Sequence, residues 1–418
     1  MIRTPTLWNR IDNSMPLSMV STCCDRQPTA YVEVDIDVES CPDPHVVAEF
    51  IRIAKQHSTR WKSFDYRCSY DSDDENEVAL SGSEELKRET PGLEASSLTS
   101  LSIQHVNPPR SVNEDRFRDA VNFYSTWSTP RLSQMHVKNV ILIPFVGAAS
   151  LKKLDLDFTD CSGGRFNLKA LFTFFASCVT LEELSMSFAC ELLDETSLPV
   201  KPFSFVHVRN LAVSFYDCPR KHVKLVMNHC LFPVVSRMSL QIERSYYVDG
   251  DVPDFPDLED VDVDDVIPSI FSRPSRFPEL EDLRLNVGRL SRQSYSSIQI
   301  TLPFNNLPKV KRLSLMLNPE SAAKVYVLIP KGECLPSLRS LSLINCASLN
   351  AGWIISFLGR LKAQGSIQMS QLTVTNCSWK APPASTTAAL DSEHPETMGG
   401  EEGPYVRVTA DDLRQLMM

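Results

Sequence analysis

Apolar residues recur along most of the chain in short segments, at the first, fourth and sixth position of each. In LPSLRSLSLINC, residues 335–346, these positions are Leu338, Leu341 and Leu343. The last two alternate with polar neighbours, as in a strand with one buried face, and the first would contact the same core from the incoming turn. The pattern also occurs at residues 98–103, 132–137, 151–156, 181–186, 208–213, 235–240, 280–285, 310–315 and 369–374, and more weakly at 258–263.

The spacing of these segments indicates a repeat architecture. From residue 132 onward, successive segments begin about 20 to 30 residues apart, which is the period range of leucine-rich repeats. A single strand cannot bury its apolar row, so each unit needs a neighbour and the units stack. Helical apolar patterns at residues 168–175, 223–227 and 354–361 predict return helices between strands. The sequence therefore predicts an α/β leucine-rich-repeat-like solenoid over residues 98–380, with a parallel concave sheet and convex helices.

The residues upstream of the repeats follow a different pattern. Residues 30–38, AYVEVDIDV, alternate apolar and polar side chains, which predicts a half-buried strand. Asp43 and Pro44 then begin a predicted helix, and WKSFDY at residues 61–66 predicts a second strand. We therefore predict an N-terminal strand–helix–strand cap over residues 14–68.

Polar and acidic segments interrupt and end this organisation. The Ser/Asp/Glu-rich residues 69–97 have little to bury and predict an acidic flexible loop, and the composition of residues 381–418 predicts a disordered tail. The formal net charge of -10 is concentrated in two acidic stretches, 71–94 and 249–265, which leaves the remaining body mildly basic. Because that body has no clustered Lys/Arg stripe, we predict no nucleic-acid partner.

The cysteines and the apolar runs indicate the cellular compartment of the protein. None of the 12 cysteines lies in a CxxC motif, and the chain has neither a secretory signal pattern after Met1 nor an apolar run long enough to cross a bilayer. We therefore predict reduced thiols, no membrane partner and a cytoplasmic and/or nuclear location. Cys346 and Cys377 each lie three residues past the last apolar position of a repeat, where we predict that they bond the turn backbone rather than react.

No known catalytic or cofactor motif occurs in the sequence. The GxSxG, HExxH, P-loop and GxGxxG patterns are all missing. The acidic segment at residues 71–82 lacks the glycine and glutamate that a calcium loop needs at its sixth and twelfth positions. His222 and His229 would lie about 10 Å apart on a predicted helix, too far to share a metal without other ligands. We therefore predict no enzymatic activity, no cofactor and no metal.

A protein-binding surface is the remaining candidate for a functional site. On each predicted strand, the residues beside the inward pair point outward onto the concave face, where they form a polar and partly acidic groove. Such a groove suits hydrogen bonding to a polypeptide, with the binding energy concentrated in a few residues. The candidate binding residues are Lys153, Asp155, Asp157, Glu183, Ser185, Arg237, Asp282, Arg284, Arg312, Ser340 and Ser342.

The segment TPTLWNRID, residues 4–12, resembles the closing segment of an F-box, as found in large fungal families of F-box proteins with leucine-rich-like repeats. QPTAYVEVDI resembles the strand after the box, and QHSTRWKSFDY resembles the helix end and strand that follow. WSTPRLSQMHV and ASCVTLEELSMSF resemble the repeat strands of those proteins, in the same order along the chain. Within residues 1–13, the residual F-box residues are Thr4, Pro5, Leu7, Trp8 and Ile11.

The resemblance implies a function in protein recognition. In this family the F-box binds a Skp-type adaptor of a cullin–RING ubiquitin ligase, and the repeats hold the substrate. The chain would then be a ubiquitin ligase substrate receptor with a protein target. An F-box starts with a Leu-Pro-type segment, whereas this sequence begins at the last turn of the box, which leaves adaptor binding open. The alternative is an adaptor-independent leucine-rich-repeat scaffold without a role in ubiquitination.

Overall fold

A computed structural model of the chain shows two compact units, divided after Phe203. Both units have an α/β structure based on parallel strands. The structure describes residues 9–26, 29–38, 44–69, 76–106, 120–159, 168–189, 202–216, 218, 220–243, 263–288, 297–317, 324–328, 335–346, 354–355, 357–359, 371–377, 379–381 and 406–408.

In the first unit, seven strands form a parallel sheet in which each strand pairs with the next one along the chain. Parallel neighbours cannot be joined by a tight hairpin, so a crossover segment separates each strand from the next. The pairing is in register, with one irregularity between β2 and β3 at Val32 and Glu33. The strands are β1 (Arg10–Asp12), β2 (Val32–Asp37), β3 (Trp61–Ser69), β4 (Ser100–Val106), β5 (Gln134–Lys138), β6 (Lys153–Phe158) and β7 (Glu183–Ala189).

The described part of the first unit contains four α-helices of eight or more residues and three short 3-10 helices, and residues 120–121 are also helical. The α-helices are α1 (Leu17–Arg26), α2 (Pro44–Ala54), α3 (Asn76–Glu89) and α4 (Leu168–Phe175). The 3-10 helices span Lys55–Arg60, Phe123–Thr126 and Val146–Ser150.

Alternation of side chains explains why each strand buries one face. In β6, Leu154 and Leu156 are buried, whereas Lys153 is exposed and Asp155 is half-buried. Successive strand residues point to opposite faces, so the apolar set of each strand meets the core and the polar set faces outward. The same alternation holds in β5 and β7.

An aromatic cluster packs against β3 on the buried face. The ring centroid of Phe123 lies 5.3 Å from that of Tyr66, 5.5 Å from that of Trp127 and 6.1 Å from that of Phe64. Trp61 extends the cluster, with its ring 5.3 Å from Phe64 and 6.0 Å from Trp127. All five side chains are buried. Phe123 therefore attaches a short 3-10 helix to the core of the first unit.

The second unit repeats the parallel arrangement with six strands, which pair in register in the order β9, β11, β12, β14, β16 and β17. Separate two-stranded pairs are formed by β13 with β15, in parallel, and by β18 with β19, antiparallel. The strands from the division onward are β8 (Phe203–Ser204), β9 (Asn210–Tyr216), β10 (Cys230–Leu231), β11 (Arg237–Glu243), β12 (Asp282–Val287), β13 (Ser297–Thr301), β14 (Arg312–Leu317), β15 (Lys324–Leu328), β16 (Ser340–Ile344), β17 (Gln371–Thr375), β18 (Trp379–Ala381) and β19 (Val406–Val408).

The second unit has fewer helices in its described residues. The two α-helices are α5 (Arg220–Asn228) and α6 (Val263–Phe271), and two 3-10 helices span Pro274–Arg276 and Phe304–Asn306. Helical turns also occur at residues 354–355 and 357–359. Across the described part of the chain, no helix has the length and apolar character needed to cross a membrane.

The α/β class and the parallel strands predicted from the sequence are confirmed. The ten clear apolar segments coincide with parallel strands, namely β4 to β7 in the first unit and β9, β11, β12, β14, β16 and β17 in the second. The predicted helices at residues 168–175 and 223–227 correspond to α4 and α5. Upstream, β2, α2 and β3 lie where the strand–helix–strand pattern placed them.

The loop predicted for residues 69–97 is corrected by α3, which occupies residues 76–89. This helix has more to bury than its composition suggested, because Leu86 and Ser83 are fully buried. The Ser83 hydroxyl lies 2.5 Å from the Tyr66 hydroxyl in a shared hydrogen bond. At the end of the helix, the Glu89 carboxylate accepts hydrogen bonds from Arg52 at 2.9 Å and Lys55 at 3.1 Å. Contacts with residues distant in the sequence therefore hold α3 in place, although its composition alone suggested a solvent-exposed loop.

Two further expectations differ from the structure, and one helix was not expected. The weak apolar segment at residues 258–263 predicted a strand; residues 258–262 lie outside the described part, and Val263 begins α6, whose helical period fits Val266, Ile267 and Ile270 as a buried face. α1 was not predicted at all. Within the predicted disordered tail, residues 406–408 form β19, whereas residues 382–405 and 409–418 lie outside the described part.

Candidate functional site

The outward residues of each sheet lie in rows that cross the strands. Because the strands are parallel and in register, an outward residue stands beside its counterpart on the next strand, about 4.8 Å away. In the first unit one such row contains four carboxylates and one histidine. We call it the middle row, and its members are Asp12, Asp35, Asp65, Ser102, His136, Asp155 and Ser185.

Two rows flank the middle row on the same face of the first unit. Each contains two acidic and two basic residues, so their formal charges cancel. The middle row has no lysine or arginine and therefore accounts for the negative charge of this face. The flanking rows are Arg10, Glu33, Ser63, Ser100, Gln134, Lys153 and Glu183 on one side, and Asp37, Arg67, Gln104, Lys138, Asp157 and Ser187 on the other.

Partners within the face hold several of these carboxylates. Arg10 forms an ion pair with Asp35 from the neighbouring strand. Lys153 approaches Glu183, with 3.9 Å between Nζ and Oε2. Asp65 is exposed. A partner that approaches this face therefore meets the exposed carboxylates of Glu33, Asp65 and Glu183, together with others that are half-buried.

His136 and Asp155 form a hydrogen-bonded pair in the middle row. His136 Nδ1 lies 3.0 Å from Asp155 Oδ2. This hydrogen bond raises the pKa of His136 above its ordinary value, with further attraction from Asp155, Asp157 and Asp65, whereas burial opposes the shift. The same hydrogen bond lowers the pKa of Asp155, helped by a hydrogen bond from Ser185. The row therefore favours a protonated imidazole at its centre.

We expect the His136 ring to titrate above its ordinary pKa of 6.5 and the Asp155→Asn substitution to lower that pKa. Because the folded-state pKa exceeds the unfolded value, the contribution of His136 to stability is complete below about pH 6.5 and is lost as the pH rises through the folded-state pKa. It stays below about 1 kcal/mol, since both side chains are more than one-third exposed. Histidine-ring NMR titrations measure the pKa directly.

Two variants make this titration specific. His136→Asn identifies the ring signal by its loss, and Glu49→Gln removes a carboxylate from an exposed position of α2, away from the sheet face. A pKa that changes equally in Asp155→Asn and Glu49→Gln would show that the hydrogen bond to Asp155 does not set it.

The outward face of the second unit has a different chemistry. Its rows are rich in small hydroxyl side chains, including Ser239, Ser314 and Ser342. Arg312 donates to Asp282 on the neighbouring strand, with Nε and Nη2 at 3.1 Å and 3.0 Å from Oδ2. The rows of this face are Asn210, Arg237, Asp282, Arg312, Ser340 and Gln371; Ala212, Ser239, Arg284, Ser314, Ser342 and Thr373; and Ser214, Gln241, Asn286, Met316, Ile344 and Thr375.

All eleven candidate binding residues lie at outward positions of the sheets. Those of β6 and β7 are neighbours in the first unit, where Lys153 pairs in register with Glu183 and Asp155 with Ser185. In the second unit, one row runs through Arg237, Asp282, Arg312 and Ser340, and the next contains Arg284 and Ser342. None of the eleven is buried.

Sequence reasoning missed three of the four carboxylates of the middle row. Asp12, Asp35 and Asp65 belong to the middle row, but they lie in strands that the sequence assigned to the F-box remnant and the cap. The alternation in residues 30–38 already placed Asp35 opposite the buried side chains. The alternation at residues 132–137 places His136 on the outward face, but this pattern does not reveal its hydrogen bond to Asp155.

The F-box-like residues are described only at Ile11. Thr4, Pro5, Leu7 and Trp8 lie outside the described residues. Ile11 is fully buried in β1, where it pairs in register with Val34 of β2. The described end of this segment therefore belongs to the first sheet.

Neither metal-ligating side chains nor similarity to known proteins assigns a function to the chain. Within the described ranges, no group of three or more His, Cys, Asp or Glu side chains could hold a metal ion. No protein-family model matches the chain, and no curated protein is similar to it.

Proposed function

We propose that the chain is a leucine-rich-repeat-like solenoid protein that binds a polypeptide target on the outward face of its parallel strands. The observation that carries this proposal is the register of the outward rows in both units. A peptide lying across the strands meets one side chain from each strand, about every 4.8 Å. The helices would return the chain on the convex side, as in other solenoids.

The charge of the middle row indicates the chemistry of the target. Asp12, Asp35, Asp65 and Asp155 present carboxylates at the same level of four strands. Complementary charge steers association and disfavours partners of like charge. A target segment that contains lysine or arginine therefore fits the face of the first unit best.

Substrate recognition for a cullin–RING ubiquitin ligase is the function that the F-box resemblance favours. It is supported by the order of the F-box-like end, the first strand and helix, and the repeat strands along the chain. In this role the sheet face would hold the substrate while a Skp-type adaptor binds the box.

The second candidate is an adaptor-independent scaffold, and one observation favours it. Ile11 is fully buried in β1, so this residue of the F-box-like segment offers no surface to an adaptor. Calorimetric titration of the chain with a purified Skp-type adaptor distinguishes the two roles. Binding supports the receptor, and target binding without adaptor binding supports the scaffold.

Site-specific photo-crosslinking tests the binding face in cells that express the chain naturally. A photoreactive amino acid placed at Ser185 of β7 or Ser342 of β16 lies on the outward face. Val179, which is 58% exposed and lies outside the strands, is the matched control position. The proposal predicts that Ser185 or Ser342 yields a crosslinked target protein and that Val179 does not yield this protein. Equal crosslinking from all positions, or from Val179 alone, contradicts it.

We expect the Asp35→Asn/Asp65→Asn double variant to bind the purified crosslinked target about tenfold more weakly than the wild type. Loss of two carboxylates from the middle row removes attraction to a basic segment, and the difference should shrink as salt screens the charges. Asp25→Asn/Glu49→Gln is the control, because it removes the same charge from exposed positions of α1 and α2. Calorimetry measures the affinity of both double variants. Equal losses of affinity would show that the target does not bind at the middle row.

A further inference from the structure

Two cysteines occupy equivalent positions at the ends of neighbouring strands in the second unit. β16 and β17 pair in register up to Ile344 and Thr375. Each strand is followed by an asparagine in the left-handed backbone region, Asn345 and Asn376, both with a φ of 55°. Cys346 and Cys377 come next. The identical turns therefore place the two thiols side by side.

Direct contacts join the two cysteines. The backbone N–H of Cys346 donates to Cys377 Sγ at 3.1 Å, and the two thiols hydrogen-bond each other. The Cys346 thiol also contacts the carbonyl oxygens of Leu315 at 3.5 Å and Ile344 at 3.3 Å. The predicted bonding of these thiols to the turn backbone is thereby confirmed for Cys346. For Cys377, it is confirmed by Sγ contacts of 3.5 Å to Leu343 O and 3.2 Å to Thr375 O.

The two thiols differ in exposure and acidity. Cys346 is fully buried, whereas Cys377 is partly exposed. Hydrogen bonds from the Cys346 thiol and backbone N–H lower the pKa of Cys377 to about 7, against the effect of burial. The shared hydrogen bond and burial raise the pKa of Cys346. One thiol of the pair therefore becomes a thiolate near neutral pH while its neighbour keeps its proton.

This combination differs from the environment of other described cysteines. Cys178 and Cys230 are buried, and burial raises the pKa of each to about 12. Burial likewise raises the pKa of Cys24 to about 11. Thiolates are the nucleophilic form of cysteine, and oxidation selects thiols that combine low pKa with exposure.

We propose that Cys377 and Cys346 form a peroxide-sensitive thiol pair, in which Cys377 is oxidised first and Cys346 then closes a disulfide with it. The two cysteines lie two residues past the last register pair, and Cys346 N is 3.1 Å from Cys377 Sγ. This proximity suits a disulfide, whose Cα atoms lie about 4.4–6.8 Å apart. This modification site stands independently of the function proposed for the sheet faces.

The chemistry needs hydrogen peroxide as the oxidant and balances in two steps. The Cys377 thiolate attacks one peroxide oxygen, the O–O bond breaks, and sulfenic acid and hydroxide result. The sulfur of Cys346 then attacks the sulfur of Cys377, the S–O bond breaks, and the departing hydroxide takes the Cys346 proton to form water. The hydroxide formed from the peroxide takes the proton that Cys377 released when it became a thiolate. Two thiols and one peroxide therefore give one disulfide and two waters.

The disulfide would tie the last strand of the second sheet to its neighbour. β16 carries Ser340 and Ser342, and β17 carries Gln371 and Thr373, all at outward positions. The crosslink joins residues 31 positions apart in the sequence and so restricts separation of β17 from the sheet. Oxidation would therefore fix this end of the outward face.

Mass spectrometry of the purified full chain after a pulse of hydrogen peroxide tests the proposal. Non-reducing digestion should yield a peptide pair that joins Cys346 to Cys377 and has lost two hydrogen atoms. Cys377 should be consumed at least about tenfold faster than Cys178 or Cys230. This comparison is made within the wild-type protein, so it needs no substitution.

Substitutions separate the two steps. In Cys346→Ser, a sulfenic-acid trapping reagent should capture Cys377, whereas in the wild type the disulfide should form instead. Cys178→Ser is the control and should retain the Cys346–Cys377 crosslink. The proposal is overturned if Cys377 reacts no faster than the buried cysteines, or if trapping at Cys377 is the same with and without Cys346.

Discussion

Replacing Arg276 with alanine is expected to lower the free energy of unfolding of the second unit by about 2–4 kcal/mol. The Arg276 side chain is fully buried, and its guanidinium donates to the carbonyl of Ser269 at 3.2 Å, to that of Ile270 and to Asn228 Oδ1 at 3.0 Å. Both carbonyls lie in the last turn of α6, where the helix supplies no N–H donors. Loss of the guanidinium donor at the Ile270 carbonyl costs about 1–3 kcal/mol, whereas the Ser269 carbonyl keeps a hydrogen bond from Ser272 Oγ at 3.0 Å.

An opposing effect keeps the expected loss of unfolding free energy below the sum of the contributions of these hydrogen bonds. Burial disfavours the charged form of Arg276 and lowers its pKa to about 10. Alanine removes that cost together with the hydrogen bonds. Arg276→Met keeps most of the buried volume and removes the donors, so it separates hydrogen bonding from packing.

Urea unfolding, together with amide hydrogen exchange in α5 and α6, measures the effect of Arg276. Arg273→Ala is the matched control, because Arg273 is exposed beside the same 3-10 helix. It should change stability by less than about 0.5 kcal/mol. If Arg276→Ala is as stable as Arg273→Ala, the guanidinium does not hold the ends of the two helices.

Replacing Phe123 with alanine is expected to destabilise the first unit by about 3–5 kcal/mol. Phe123 is 2% exposed and contacts the rings of Phe64, Tyr66 and Trp127. Truncation removes buried apolar surface and leaves a cavity that the surrounding large rings cannot fill by small shifts. Urea unfolding followed by tryptophan fluorescence measures the change, since Trp61 and Trp127 belong to the same cluster.

Two comparison variants show whether packing causes the effect of Phe123. Phe123→Leu keeps an apolar side chain at the site and should cost less than Phe123→Ala. Val179→Ala truncates a side chain that is 58% exposed and should change the free energy of unfolding by less than about 0.5 kcal/mol. A loss of similar size in Val179→Ala would contradict the cavity explanation.

Local pattern was sufficient to predict the parallel strands. Leu338, Leu341 and Leu343 predict β16 because alternation and burial are properties of a few consecutive residues. The same reasoning missed α3, because its contacts come from distant elements. Ser83 meets Tyr66 of β3, and Glu89 meets Lys55 after α2. A segment held by such long-range contacts carries little evidence of them in its own composition.

The candidate site was predicted in part for a related reason. Each strand pattern shows which side chains point outward, and this was sufficient to place Asp155 and Ser185 on the face. It does not show which outward residues stand side by side. That depends on strand order and register, which bring His136 beside Asp155 and continue the row to Asp65. Cys346 and Cys377 meet for the same reason, across 31 positions of sequence.

In-register pairing also makes the outward rows insensitive to the length of the connecting segments. β5 and β6 are separated only by residues 139–152, whereas β11 and β12 are separated by residues 244–281, yet each pair is in register. Insertions and deletions between strands can therefore accumulate in evolution without displacing a row. A substitution at an outward position changes one point of the surface and leaves the leucine framework intact. Such a surface can acquire new partners one side chain at a time.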